Sequence, residues 1–333
     1  MDNITHSLTG LALSRAALDR FSPRAVWLLI LSANAPDCDI VAASQGAFRY
    51  LEIHRGYTHS VIAAPALAAL SVLVIALIFR ERLPWVKAFA LCLIGVASHL
   101  LLDWTNDYGV RLLLPFSSRW FHLDLNNLFD IWILLVLALA AIWPSLSKLV
   151  NREIGDRSSP AGRPIAIFAL LFILFFDLGR MTMRNRVLAQ LESRLYDGGP
   201  ALQYAALPDA FDPTRWTGVI ETNATYRIGT INSLGQWDPE QTAVFYKPPE
   251  SANLLNARQE QPFRYFLYFA RFPVWSIQGV NREHKTGTRL DLTDLRFGAP
   301  NQGSFHCIGY ENQSNRLLSK RFTFGSGADL GWN

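Results

Sequence analysis

Four apolar runs constrain this chain more than anything else in it: Val61–Phe79, Ala88–Leu102, Leu128–Trp143 and Pro164–Leu178. Each approaches the ~20 residues that a helix needs to cross a hydrocarbon core. Composition points the same way. Of 333 residues half are hydrophobic and 17% are charged, against the ~25% charge of an ordinary soluble domain. Two weaker apolar segments come first, Ile4–Leu18 and Ala25–Ala35, the second stopped by Pro36. They look too short to span alone and are expected to be re-entrant or packed inside the bundle, where protein satisfies their polar ends.

Past Arg180 the pattern changes. WTGVIET, ATYRIGTI, TAVFYK, RYFLYFARF and TRLDLTDLRFG mix β-branched and aromatic residues with polar ones and are punctuated by Pro, Gly and Asn. They read as short strands. Met181–Leu195, rich in arginine, reads as a helical stalk. The expected fold is thus a mainly α membrane bundle over residues 1–180, four long helices plus two short ones, followed by a soluble α+β, strand-rich domain over residues 181–333.

Basic residues recur at alternate turns: Arg15, Arg20 and Arg24; Arg80, Arg82 and Lys87; Lys148, Arg152, Arg157 and Arg163. In a chain that snakes back and forth these share one side, which the positive-inside rule makes cytoplasmic. The outer side then collects His6, Asp37, Asp39, the stretch HRGYTH and the loop Trp104–Asn127. The strand-rich domain falls on that side too, although Arg180, Arg184 and Arg186 weigh against it. The net charge of +4 is spread through loops and forms no stripe for nucleic acid. Three cysteines without CxxC spacing exclude a disulfide framework and a thiolate zinc site. The N-terminal MDNITHSLTG lacks the basic-then-apolar order of a cleavable signal peptide.

Chemistry concentrates at the outer end. SHLLLD carries His99 and Asp103 four residues apart, on one helical face of an apolar helix. Ionisable groups inside a membrane segment are costly and by default functional; the plain alternative is a His–Asp pair that fixes packing. ANAPDCDI supplies Asp37 and Asp39, which in an extended turn point to opposite sides unless the loop curls. An acidic helix cap is the rival reading there. HRGYTH places His54 and His59 five apart with Gly56 allowing a bend, and Thr58 or Ser60 could simply cap the next helix. Arg55 and Arg111 are of the type that clamps a phosphate. His122 could line the substrate path or sit at the interface, and Asp130 could orient a ligand or cap its helix. His284 and His306 lack a partner pattern and read as structural.

As a set, imidazole and carboxylate without thiolate suit Zn²⁺ first, with Mn²⁺ or Fe²⁺ as alternatives. More than four candidate ligands suggest two ions, an arrangement that activates water and clamps a phosphoryl or acyl oxygen.

MDNITHSLTG, ANAPDCDI, HRGYTHS and SHLLLDWTNDYGVRLLLPFS, in this order, resemble the YdjM-type inner-membrane metal-dependent hydrolases. The likeness covers about residues 1–145 as motifs and extends loosely into the tail through FARFPVW and LTDLRFG. It implies a membrane-embedded hydrolase with His6, Asp37, Asp39, His54, His59, His99 and Asp103 around metal. On this expectation a metal-activated water attacks an ester, foremost a phosphoester of a lipid or lipid-linked substrate. Asp39, His59 and Asp103 are the candidate catalytic residues, and Arg55, Arg111 and His122 the candidate substrate contacts. Either Asp37 or Asp39 could be the bridging ligand and the other the base. No HExxH occurs, which disfavours a peptidase. Other classes remain in view: a metal or proton transporter, and a sensor or assembly protein in which metal is structural. The first would need ionisable groups along the whole membrane path. The expected location is the bacterial inner membrane, multi-pass; no protein partner is indicated.

Overall fold

The computed structural model describes residues 1–153, 162–282, 285–300, 303–314 and 316–325. Arg157 and His284 lie outside the described residues. The chain forms two compact units. One comprises Met1–Val41, Ile53–Met183 and Pro208–Pro213, the other Ala42–Glu52, Arg184–Leu207 and Thr214–Asn333.

The first unit is helical. Asp2 caps α1 (Asn3–Leu13), its carboxylate accepting from the Ile4 and Thr5 amides at 3.0 Å. A π-turn over Ser14–Leu18 follows, then α2 (Ala25–Asn34). Pro36 does end the α-helical part of that segment, but the chain winds on as a 3₁₀ helix over Ala35–Gln45. Ala25–Gln45 is therefore long and apolar enough to cross a membrane, along with α5 (Trp85–Thr105), Ile131–Leu149 of α6 (Ile131–Glu153) and α7 (Gly162–Glu192). The run expected to span first, Val61–Phe79, instead gives α4 (Ala64–Phe79), a 16-residue helix. It meets the preceding Ala47–His59 segment, which contains α3 (Ala47–Ile53), at 89°. Among the described residues four helices qualify as candidate spans, and a fifth if this bent pair is one broken span. The arginine-rich stalk is helical to Glu192, continuous with α7.

Lipid tails are as apolar as leucine, so burying leucine does not drive helices together in a membrane; close backbone approach and polar contacts do. Both are present here. A Cβ on Gly95 of α5 would lie 2.0 Å from the Ser32 hydroxyl of α2, and one on Gly10 of α1 would lie 2.7 Å from the Leu29 carbonyl. Pro144 inside α6 has no N–H for the Ala140 carbonyl four residues back. Arg15 reaches across and donates to the Ala140 and Ala141 carbonyls at 3.3 and 2.8 Å.

The second unit holds two four-stranded antiparallel sheets in simple up-and-down order. The first contains β1 (Gln203–Pro208), β2 (Arg215–Glu221), β3 (Thr225–Asn232) and β4 (Ala243–Tyr246). The other contains β5 (Pro273–Arg282), β6 (Lys285–Asp294), β7 (Phe305–Asn312) and β8 (Leu317–Phe324), after two short helices, α8 (Ala252–Gln259) and α9 (Phe263–Phe269). RYFLYFARF, expected as a strand, is largely α9. Its phenylalanines Phe263, Phe266 and Phe269 recur every three residues, all are buried, and Pro262 opens the helix. Spacing prevailed over aromatic content. Burial of Trp216, Phe263, Phe266 and Phe272 gives this unit the apolar core that the helical unit has less use for.

Candidate metal centre

His99 and Asp103 stand one turn apart on α5, facing the interior, with 0% and 1% exposure. The 3₁₀ stretch after α2 separates the directions of Asp37 and Asp39 by about 120°, since such a helix has three residues per turn. Both carboxylates turn inward while Cys38 between them is exposed. Both therefore reach His59, Asp37 at Nε2 and Asp39 at Nδ1, which an extended turn would not have given.

HRGYTH folds around a strained residue. Arg55 adopts φ +55°, in the left-handed region. Its amide donates to Asp39 at 3.1 Å and its carbonyl accepts from the Arg111 amide at 3.2 Å. Gly56 is needed for space rather than for torsion: a Cβ there would lie 2.6 Å from the Ile53 carbonyl and 2.8 Å from the Arg111 guanidinium. A 3₁₀ turn over Tyr57–His59 then delivers His59, fully buried, onto α5.

Hydrogen bonds at the far side of each ring set the tautomers. His99 Nδ1 lies 2.7 Å from the Ala33 carbonyl, so that nitrogen carries the proton and Nε2 presents its lone pair. Thr58 donates its hydroxyl to Asp39 at 3.0 Å and so accepts from His59 Nδ1, also 3.0 Å away. His59 Nε2 is likewise a bare lone pair. The two Nε2 atoms are 3.2 Å apart. Asp37 Oδ1 lies 3.3 Å from that of His59 and 3.6 Å from that of His99. Asp103 Oδ2, which has no hydrogen-bond partner among the described residues, lies 3.5 Å from both.

With both rings neutral and so oriented, four acceptor atoms converge. Unscreened, they repel. The five separations of 3.2–3.6 Å that link these atoms through the two imidazoles bracket the ~3.3 Å between ligands of a tetrahedral ion with bonds of about 2.0–2.1 Å. Asp37, His59 and His99 form a group that could hold a divalent cation, and Asp103 approaches both of its imidazoles.

The other sequence candidates surround this core. Asp37, His59 and His99 form one group of potential ligands, His6, His99 and Asp103 a second, and Asp39, His54 and His59 a third. Asp39 is spent on His54 Nδ1 at 2.9 Å, the Arg55 amide and the Thr58 hydroxyl. That is the bonding of a carboxylate which orients ligating imidazoles. His6 stacks on His99 with ring centroids 3.8 Å apart, and among the described residues neither of its nitrogens has a hydrogen-bond partner. Its Nε2 is 3.5 Å from Asp103 Oδ1, an oxygen already held by Arg55 at 3.0 Å and approached by the Met1 nitrogen.

The three expected substrate contacts are placed differently. Arg55 is 2% exposed; besides Asp103 it donates to Asn106 Oδ1 at 2.9 Å and to the Gly109 carbonyl at 3.2 Å, and it stacks on Tyr108. Arg111 is 8% exposed, stacks on Trp120 and reaches the carbonyls of Arg55 and His54 at 3.5 Å. Both arginines brace the loop from within. His122 is more accessible, at 23%, with Asp124 3.0 Å from its Nδ1. Asp130 caps α6 through the Trp132 and Ile133 amides at 3.1 and 3.3 Å.

Sequence reasoning missed Asn106. Its Oδ1 accepts from Arg55 and from the Tyr108 and Gly109 amides, tying the loop after α5 to the guanidinium that holds Asp103. The signal was its place in DWTNDYG, three residues past Asp103 and ahead of a glycine that takes φ +89°. Thr58, read as a helix cap, orients His59 instead; Ser60, the other cap candidate, accepts from the Ala63 amide at 3.3 Å in the turn before α4, which has no side-chain cap.

A family model described as YdjM inner membrane protein matches residues 1–187, which contain the whole centre. The chain belongs to that family. With its apolar helices, it is an inner membrane protein of the YdjM family. It is also similar to the uncharacterized protein YfhP of Bacillus subtilis (strain 168), 26% identical over 92% of this chain and 90% of that one. That likeness runs through the strand-rich unit as well. No solved structure matches.

Proposed function

We propose that this YdjM-family protein is a membrane-bound, metal-dependent hydrolase acting on an ester, foremost a phosphoester of a lipid or lipid-linked substrate. The observation that carries the reading is the convergence of two imidazole nitrogens, 3.2 Å apart, with two carboxylate oxygens each 3.3–3.6 Å from both. Zn²⁺ suits this nitrogen and oxygen set, with Mn²⁺ or Fe²⁺ as alternatives. A divalent ion bound there supplies Lewis acidity and a lowered pKa for coordinated water.

The chain's own residues do the rest. Asp37, His59, His99 and Asp103 hold the ion. Asp39 and Thr58 fix the His59 tautomer, and Arg55, steered by Asn106, holds Asp103 in place. His122, half-buried beside Gly109, is the candidate for meeting substrate. Clustering at one end of the helices suits surface chemistry better than transport, for which sites lie near the bilayer midplane. In the proposed topology the centre and the strand-rich domain face outward, opposite the basic loops.

Elemental analysis of the purified protein tests the root of this reading: about one equivalent of metal is expected in the wild type and almost none in His59→Ala. Turnover of phosphatidic acid in mixed micelles should stop on chelation and return with Zn²⁺ or Mn²⁺. A metal-free wild type, or full activity in Asp103→Ala, overturns it.

A further inference from the structure

The loops that carry the ligands are lined with bare apolar side chains. Directly after Asp39 come Ile40 and Val41, 56% and 73% exposed. Between Arg55 and His59 stands Tyr57, 67% exposed, and past Ser60 stands Val61, 57% exposed. The turn after Arg111 adds Leu113 at 46% and Phe116 at 83%. Two hydrogen bonds knit these stretches into one surface. Thr58 joins Asp39, and the Val61 amide donates to the Leu112 carbonyl at 3.0 Å.

This surface bears no charge of its own. From Ile40 to Phe48, from Tyr57 to Phe79 without its two termini's neighbours, and from Leu112 to Ser118, the sequence holds no Asp, Glu, Lys or Arg, and His59 is turned inward. It continues along the chain into α4, whose Leu70, Leu73, Leu77 and Ile78 are exposed as well. Arg119, exposed and stacked on Phe121, closes the loop three residues beyond Phe116. An aromatic beside a cation is the pairing found where a chain meets lipid headgroups. Water-facing loops avoid such side chains, and a contiguous apolar patch marks an interaction site.

We infer that this apolar rim lies in the outer acyl–headgroup boundary and seats the chains of a bilayer lipid whose polar head reaches the metal centre. The inference rests on the hydrolase reading for what happens to the head, but the depth of the rim is measurable without it. Two groups of the centre keep some exposure, Asp37 with 9% and His54 with 13% of the side chain, and the head of such a lipid would meet the ligand set there. Its retained portion is an acyl or isoprenoid chain and its reacting portion an anionic ester head.

Spin labelling tests this on the full chain. Cys92 and Cys307 are buried, so Cys38→Ser leaves a background in which nitroxides can be placed by Phe116→Cys and by Val41→Cys. In phosphatidylcholine nanodiscs both labels should be accessible to oxygen and shielded from a water-soluble nickel chelate. Adding phosphatidic acid at a few mole per cent should broaden their spectra, whereas glycerol phosphate should not. Labels open to nickel overturn the inference, as does equal broadening by glycerol phosphate. A wild type without metal would remove the hydrolase reading and leave the depth result standing.

Discussion

His99 in the helical unit and His306 in the strand-rich unit are both fully buried imidazoles, and their partners differ in kind. His306 gives one ring nitrogen to Asp291 at 2.9 Å and the other to the Gly303 carbonyl at 2.9 Å. Both neighbours are acceptors, so both nitrogens donate and the ring is complete as an imidazolium. Burial alone would lower its pKa; the Asp291 hydrogen bond and charge outweigh that and hold it above the ordinary value. His99 is complete on one side only. Its Nε2 faces another bare nitrogen and two carboxylates. Buried polar groups are nearly always paired within the fold, and the difference between a satisfied ring and an unsatisfied one separates a structural histidine from a candidate ligand.

The largest expected effect breaks the comparison at its unsatisfied end. His99→Ala should bring metal content close to zero, while His306→Asn leaves it at the wild-type level; equal loss in both would dissolve the distinction. Next comes the apolar core of the strand-rich unit. Phe266→Ala, at a fully buried ring, should cost about 3–5 kcal/mol of that unit's stability in urea unfolding with metal content unchanged. Asp39→Asn should weaken metal binding by roughly 10–100-fold without abolishing it, because it orients ligands rather than supplying one at the core. A competition titration against a chelating dye reads that difference, and a loss as complete as that of His99→Ala would make Asp39 a ligand.

The smallest effect concerns pH. A raised folded-state pKa means that the His306–Asp291 pair contributes fully below the unfolded histidine value and fades as pH rises through the folded one. Amide protection in β6 and β7 should therefore decline on going from pH 6 to pH 9 by more in the wild type than in His306→Asn. Parallel decline in both proteins would show the pair to be inert.

Much of the centre was legible because its residue types are out of place. Imidazole and carboxylate inside apolar helices are too costly to be incidental, and the spacing of His99 and Asp103 already put them on one face. What could not be read was the division of labour. Asp37 and Asp39 are equivalent in sequence, and only the 3₁₀ winding past Pro36 sends one to the lone pairs and the other to Thr58 and His54. Arg55 looked like a substrate clamp because guanidinium suits anions; in a buried loop the nearest anion is Asp103 itself. Asn106 and Thr58 were missed because short polar side chains have many uses in loops. In the fold, the bend before α4 depends on packing that local composition does not encode, and the helix at RYFLYFARF on a three-residue spacing that composition alone hides.

Arg15 and Pro144 illustrate how such a fold can vary. The proline leaves a carbonyl of α6 without its helical donor, and the arginine fills the vacancy from the π-turn after α1. Each residue alone is therefore a liability and together they are a neutral pair. Arg15→Leu strands the carbonyl, while Pro144→Ala restores the helix bond and makes the guanidinium dispensable. A double-mutant cycle should show the second substitution relieving the first, so that relatives can be expected to exchange the two positions jointly rather than one at a time.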